Sequence, residues 1–269
     1  MKARTELVIL KLGGSVVTRK EEGRPEVNKE NLSRLSKEIA EAQKEKKFLV
    51  VVVHGAGPFG HIPASEYNLN DGFKGSEQIK GFILTHQSME KLNYLVVEEL
   101  QKAGVNAVAF QPSSAGLLKM RKLSTFRTDI IQKLLSIGIV PVPYGDVLFD
   151  EKIGCAILSG DQLVPYLAEK LSADRIILTA DVAGIFDSDP KKNKEAVLLK
   201  EITPKTVNKI KKIGTSVGVD VTGGMEGKLS ELMRLAKKGI ESEIIDGTKP
   251  GLLRRALLGE KGLGTIIKG

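Results

Sequence analysis

Short apolar runs alternate with longer stretches of helical periodicity along the chain. Glu6–Leu12, Lys47–His54, Val105–Phe110, Ile139–Pro143 and Arg175–Ala180 are rich in β-branched residues, and most are apolar at successive positions, the pattern of strands covered on both faces. Between them, Asn28–Lys46 sets Leu32, Leu35, Ile39 and Ala42 at helical spacing, and Ser76–Lys102 carries a long helical pattern that stops at Gly104. Thr128–Ser136, Asp161–Ser172 and Glu226–Lys238 predict further helices, the last ended by Gly239. This alternation predicts an α/β protein, a three-layer αβα sandwich around a mostly parallel central sheet. No Pro/Gly/Ser-rich linker divides the chain and no long-period repeat runs through it, so residues 1–269 are expected to form one domain with two lobes. The turn-rich Tyr144–Gly154 segment, expected to be a hairpin, marks the seam.

Composition narrows the function classes. The 269 residues are enough for a large core, and no apolar run approaches the roughly 18 residues of a membrane span. The opening MKARTELVILKLGG has only four consecutive apolar residues, Leu7 to Leu10, which suits a first strand better than a signal-peptide core. Cys155 is the single cysteine, which excludes an intramolecular disulfide and a multi-thiolate zinc cluster and fits a cytoplasmic protein. The formal net charge of +8 is spread along the chain and aromatic residues are 4%, so a solvated lysine-rich surface is expected rather than a nucleic-acid groove. A local need for cations at an anionic ligand remains a further source of the excess.

Two glycine clusters each follow a strand. Lys11-Leu12-Gly13-Gly14-Ser15 fits either a tight strand-to-helix turn or a nest of N–H groups for phosphate, and matches neither GxGxxG nor Walker A. His54-Gly55-Ala56-Gly57-Pro58-Phe59-Gly60-His61 reads as a loop after a central strand, which brings it to the same edge of a parallel sheet. His61 is the candidate ligand there, whereas His54 and His86 are expected to be structural. Farther on, Thr222-Gly223-Gly224-Met225-Glu226-Gly227-Lys228 puts a lysine in the first turn of a helix, where the dipole disfavours it unless an anion is near.

These segments, with Ser159-Gly160-Asp161 and the Thr179–Pro190 stretch TADVAGIFDSDP, occur in the order found in the amino acid kinase superfamily, which the chain resembles over residues 6–268. The histidine closing GAGPFGH makes it similar, within that superfamily, to the archaeal-type isopentenyl phosphate kinases. The resemblance implies the amino acid kinase fold and direct in-line phosphorylation of isopentenyl phosphate by ATP, a step of isoprenoid biosynthesis. It implies an acceptor-binding N-terminal lobe of about residues 1–150, an ATP-binding C-terminal lobe of about 151–269, and a homodimer. Lys11, Gly13, Gly14 and Ser15 would then meet ATP phosphates, and Lys20 would stabilise the transferring phosphoryl group. Gly55, His61 and Gly160 would hold the acceptor phosphate, Ala56, Asp181, Gly223 and Lys228 the nucleotide, and Asp161 would position the lysines. Pro58 departs from the serine of many relatives and removes a hydroxyl and a backbone donor.

The residue types suit that chemistry. Phosphoryl transfer between two anions spreads charge over the oxygens of the moving group, so cations and backbone donors carry the catalysis. A phosphate acceptor is already ionised near neutral pH and needs no general base, and Mg²⁺ is expected to arrive with ATP, held by phosphates and water rather than by protein ligands. Phe82, Ile83 and Leu84 are candidates for an apolar wall beside the phosphate, with ordinary helix core as the competing reading. The alternatives are another small-acid kinase, acting on a phosphonate such as fosfomycin or on an amino-acid carboxylate, and a non-catalytic binding module.

Overall fold

The computed structural model describes residues 4–19, 25–188, 190, 193–207 and 224–269, with the backbone alone at 224–226 and 228. The strands are β1 (Leu7–Leu12), β2 (Thr18–Arg19), β3 (Glu26–Val27), β4 (Leu49–His54), β5 (Ala107–Ala109), β6 (Gly116–Lys119), β7 (Lys122–Phe126), β8 (Val140–Val142), β9 (Asp146–Asp150), β10 (Gly154–Leu158), β11 (Arg175–Ala180), β12 (Glu201–Ile202), β13 (Glu241–Asp246) and β14 (Thr265–Ile267). The helices are α1 (Gly14–Val17), α2 (Lys29–Glu45), α3 (Gly57–Glu66), α4 (Ser76–Lys102), α5 (Thr128–Ser136), α6 (Gly160–Lys170), α7 (Gly224–Ala236) and α8 (Leu252–Leu258).

The central sheet runs β12-β14-β13-β11-β1-β4, and a parallel bridge from His54 to Tyr144 carries it on to β8 and β5. Its pairings are parallel except for β13 with β14, which is the mostly parallel sheet expected. β1 shows why both its faces had to be apolar. Leu7 and Ile9 join one core with Leu163, Val164 and Leu167 of α6 and Leu232 of α7, while Val8, Leu10 and Leu12 join another with Leu32, Leu35 and Ile39 of α2 and Leu92 and Val96 of α4. A period of two thus feeds two helical layers, which is the three-layer sandwich.

Local signals set the helix limits. The Asn28 side chain accepts from Asn31 N at 3.2 Å to start α2, and Ser159 accepts from Gln162 N at 3.2 Å to start α6. α4 ends before Gly104, whose φ of +94° a glycine adopts without steric cost. The Tyr144–Gly154 segment is β9 and its antiparallel turn into β10, with Asp150 opposite Gly154. These two strands and β6–β7 form a second sheet, in which Asp150 accepts from the backbone N–H of Met120, Arg121, Lys152 and Ile153 at 2.6–3.2 Å and so fixes two turns at once. Sequence pattern alone did not anticipate β6–β7 or the closing β13–β14 pair.

Candidate functional site

The carboxyl ends of β1 and β4 lie side by side, Leu12 opposite His54, so the two glycine clusters meet as expected. They meet through backbone. A Cβ on Gly14 would stand 2.6 Å from Gly57 N, one on Gly55 2.7 Å from Gly14 N, and one on Gly13 2.5 Å from Thr179 O. Gly57 has φ +51°, and a Cβ there would lie 2.2 Å from Thr18 Oγ1. Only glycines allow the two segments to close to this distance, and the fold itself uses the N–H of Gly13, on Thr179 Oγ1, and of Gly55, on Leu12 O at 2.9 Å.

The second cluster is not a loop. From Gly57 onward it is α3, so His61 sits exposed on a helix at its fifth residue. Glycines and prolines hid this helix in the sequence. Pro58 stands in its first turn, where an N–H has no partner within the helix, so the serine-to-proline departure removes no helical hydrogen bond. α3 and α6 both begin at this edge, each presenting the positive end of its dipole.

Lys11, 8% exposed on β1, reaches Asp161 in the first turn of α6, Nζ to Oδ1 2.6 Å. A Cβ on Gly160 would touch Lys11 Cε at 3.2 Å, so glycine at 160 leaves the lysine its path along the helix start. Ser15 Oγ donates to Asp181 Oδ1 at 3.0 Å, and Thr179 Oγ1 ties β11 to the first glycine turn by accepting from Gly13 N at 3.2 Å. Ala56 caps α3 between the two loops. The structure therefore brings together Lys11, Gly13, Gly14, Ser15, Gly55, Ala56, Gly160, Asp161 and Asp181. Lys20 and Gly223 lie outside the described residues, as does the Lys228 side chain. α7 begins at Gly224, two residues earlier than expected, so position 228 is its fifth residue and not in the first turn where the dipole acts most strongly.

Beneath this edge is a buried polar support. His54 is fully buried, stacks on Tyr144 with ring centroids 5.3 Å apart and planes at 8°, and has Nε2 3.1 Å from Asn93 Nδ2 of α4. Burial pushes its imidazole down to about 4, so it is neutral at physiological pH and can accept from Asn93. The expectation that His54 is structural agrees with this geometry.

Beside α3 lies an apolar cluster. Phe82 of α4, Phe149 of β9 and Phe73 form a ring triad with centroids 5.3–6.3 Å apart, Phe73 and Phe149 partly open to solvent at 37% and 55%. Ala64 of α3, Tyr67 and Ile157 of β10 pack at its base with buried Leu69, Val147 and Cys155. Phe82 was a sequence candidate; Phe73 and Phe149 were missed because they reach the cluster only through tertiary packing. The signal available was the run Val147-Leu148-Phe149, three apolar residues in succession inside the turn-rich segment.

Comparison with known proteins fits this arrangement. The amino acid kinase family matches residues 6–246. The chain belongs to the amino acid kinase family. Among its members it is similar to the isopentenyl phosphate kinase of Methanothermobacter thermautotrophicus, 40% identical over 98% of this chain and 99% of that protein. The isopentenyl phosphate kinase of Methanocaldococcus jannaschii is 35% identical over 94% of this chain and 96% of that one. A crystal structure of an isopentenyl phosphate kinase superposes with a TM-score of 0.84 at 38% identity, covering 97% of this chain and all of the other. The family thus explains why glycines, a buried lysine and an aspartate converge on one sheet edge.

Proposed function

We propose that this protein transfers the γ-phosphoryl group of ATP to isopentenyl phosphate, yielding isopentenyl diphosphate and ADP. One observation supports that acceptor above the rest. α3 begins among the backbone donors at Gly57, carries His61 in its second turn, and places Ala64 at the aromatic cluster. A single helix therefore runs from an edge of backbone donors to an apolar cluster partly open to solvent, matching a short ligand with a phosphate head and a hydrocarbon tail.

In this reading an oxygen of the acceptor phosphate attacks the γ-phosphorus as the bond to the β-bridging oxygen breaks, and ADP leaves with that electron pair. Lys11, held by Asp161, and Lys20 offset the charge of the moving group. Gly14 and Ser15 donate to ATP phosphates, with Gly13 lining the turn while its N–H stays tied to Thr179, and Ala56, Asp181, Gly223 and Lys228 hold the nucleotide. Gly55, His61 and Gly160 hold the acceptor phosphate in line, the histidine as a hydrogen-bond donor. The carboxylates of Asp161 and Asp181 at the edge are engaged by Lys11 and Ser15, so Mg²⁺ would be carried by the nucleotide phosphates and water and would neutralise phosphate charge. About residues 1–150 take the acceptor and 151–269 take ATP. The enzyme acts in the cytoplasm as a homodimer, a setting in keeping with its one buried cysteine.

A coupled ADP-release assay with MgATP tests the reading, comparing isopentenyl phosphate, dimethylallyl phosphate, fosfomycin, UMP and N-acetylglutamate. Isopentenyl phosphate is expected to have the highest kcat/KM, with a loss of about 10²-fold or more in His61→Ala. A higher kcat/KM for any other acceptor would overturn the substrate assignment.

A further inference from the structure

His86 lies outside the phosphate-binding residues, yet it occupies the densest polar contact on α4. Its Nδ1 faces the carboxylate of Asp146 at 3.1 and 3.3 Å, and the Asp146 side chain is fully buried at the start of β9. That carboxylate also accepts from Val147 N at 2.8 Å. Gln111 Nε2 stands 3.0 Å from His86 Nε2, Glu90 Oε1 3.4 Å from the same nitrogen, and Ser113 Oγ 3.5 Å from Nδ1. The contacts define two forms of one tether. The neutral ring donates Nδ1–H to Asp146 and accepts from Gln111, and the protonated ring keeps the Asp146 bond and turns Nε2–H toward Glu90.

Both ends of the tether carry pocket residues. Phe82 lies four residues before His86 on the same face of α4, and Phe149 lies three residues after Asp146 on the opposite face of β9, so its ring is tied to Asp146 through the strand backbone. The two rings are the pair 5.3 Å apart in the aromatic cluster. Gly145, adjacent to Asp146, donates to His54 O at 3.2 Å, and a Cβ on it would lie 3.5 Å from Gly160 N. Gly145 is thus anchored on the β4 side, which leaves the aromatic cluster as the part of the site that the Asp146 contact positions.

We propose that His86 is a positioning residue for the acceptor, joining α4 to β9 through Asp146 and so setting the spacing of Phe82 and Phe149. The inference rests on the acceptor reading above. The groups facing His86 are Asp146 from β9, Glu90 from its own helix, and Gln111 and Ser113 from the segment after β5; the Tyr144 hydroxyl is the remaining titratable group close to this pair, and burial holds it protonated. The Asp146 hydrogen bond is the main cause that raises the histidine above its ordinary value, so the charge-assisted form persists to higher pH and is lost as pH rises through that titration.

The test compares His86→Ala and His86→Gln with the unmodified protein, after thermal unfolding confirms that each is folded. His86→Ala is expected to raise KM for isopentenyl phosphate about tenfold, the worth of one charge-assisted hydrogen bond, with kcat and KM for ATP held within about twofold. His86→Gln keeps a neutral donor and is expected to recover most of that loss. The ratio of acceptor KM, unmodified over His86→Gln, is expected to rise with pH, the ionisation of the acceptor cancelling between the two. The chain has three histidines, so imidazole NMR with His86→Gln as the assignment control reads the titration without turnover. An unmoved acceptor KM in His86→Ala, a kcat loss equal to the KM effect, or a His86 titration at or below the ordinary value would each overturn the tether alone. Absence of isopentenyl phosphate turnover in the unmodified protein would overturn the acceptor reading and the tether with it.

Discussion

The two edges of the central sheet use charge in opposite ways. At the amino edge, Arg175 contacts Glu6 at 2.6 Å and donates to the last carbonyls of α8, Ala256 O and Leu257 O, at 2.5 and 2.6 Å. Lys46 meets the other Glu6 oxygen at 2.7 Å, Lys261 meets Glu241 at 2.8 Å, and Glu243 accepts from Leu263 N and Gly264 N. A cavity of about 340 Å³ opens there, but the charges around it bond to one another and to strand and helix ends. At the carboxyl edge, among the described residues, backbone donors and the starts of α3 and α6 converge around the Lys11–Asp161 and Ser15–Asp181 contacts. That cavity is therefore a place where the fold closes on itself, and in the function proposed above the glycine-lined edge is where it offers hydrogen bonds to a ligand.

Three measurements sharpen or break that contrast. Lys11→Met is expected to lower kcat by about 10²–10³-fold, since a cation aimed at developing charge is removed, with a much smaller change in the denaturation midpoint. A stability loss as large as the catalytic one would make the two edges alike. His54 gives an effect of similar size in a different observable. Its imidazole is held at about 4 against an ordinary 6.5, so the folded state binds fewer protons than the unfolded one across this interval. Its stabilisation is present above pH 6.5 and is lost as pH falls toward 4, to an extent on the order of 3 kcal/mol in denaturant titrations. Parallel pH profiles for the unmodified protein and His54→Gln would contradict it. Arg175→Ala, at the other edge, is expected to cost about 2 kcal/mol of stability by leaving Glu6 and two carbonyls underbonded, with kcat unchanged. A large fall in kcat would show that the amino edge acts on the chemistry.

The layers of the fold were legible because they rest on local periodicity: β1 is apolar at every position except Lys11, and Leu32, Leu35 and Ile39 fall on one helical face. Lys11 was legible for the same reason, as a charged residue ending a buried strand. α3 was not, because the glycines that permit loop contact and the prolines at 58 and 63 lower helical propensity, and packing on α4 outweighs it. The contacts of Phe149 with Phe73 and Phe82 and the His86–Asp146 contact join positions 60 or more residues apart, a juxtaposition that only the tertiary fold creates.

The backbone contact between Gly14 and Gly57 has a consequence for how such an enzyme changes over generations. Where the starts of two helices touch backbone to backbone, no neighbouring side-chain substitution can make room for a bulkier residue at Gly14, so this part of the molecule has almost no route of gradual variation. In the function proposed above, novel substrate preferences arise instead among the rings of Phe73, Phe82 and Phe149, where one mutation alters shape and leaves the phosphate edge intact.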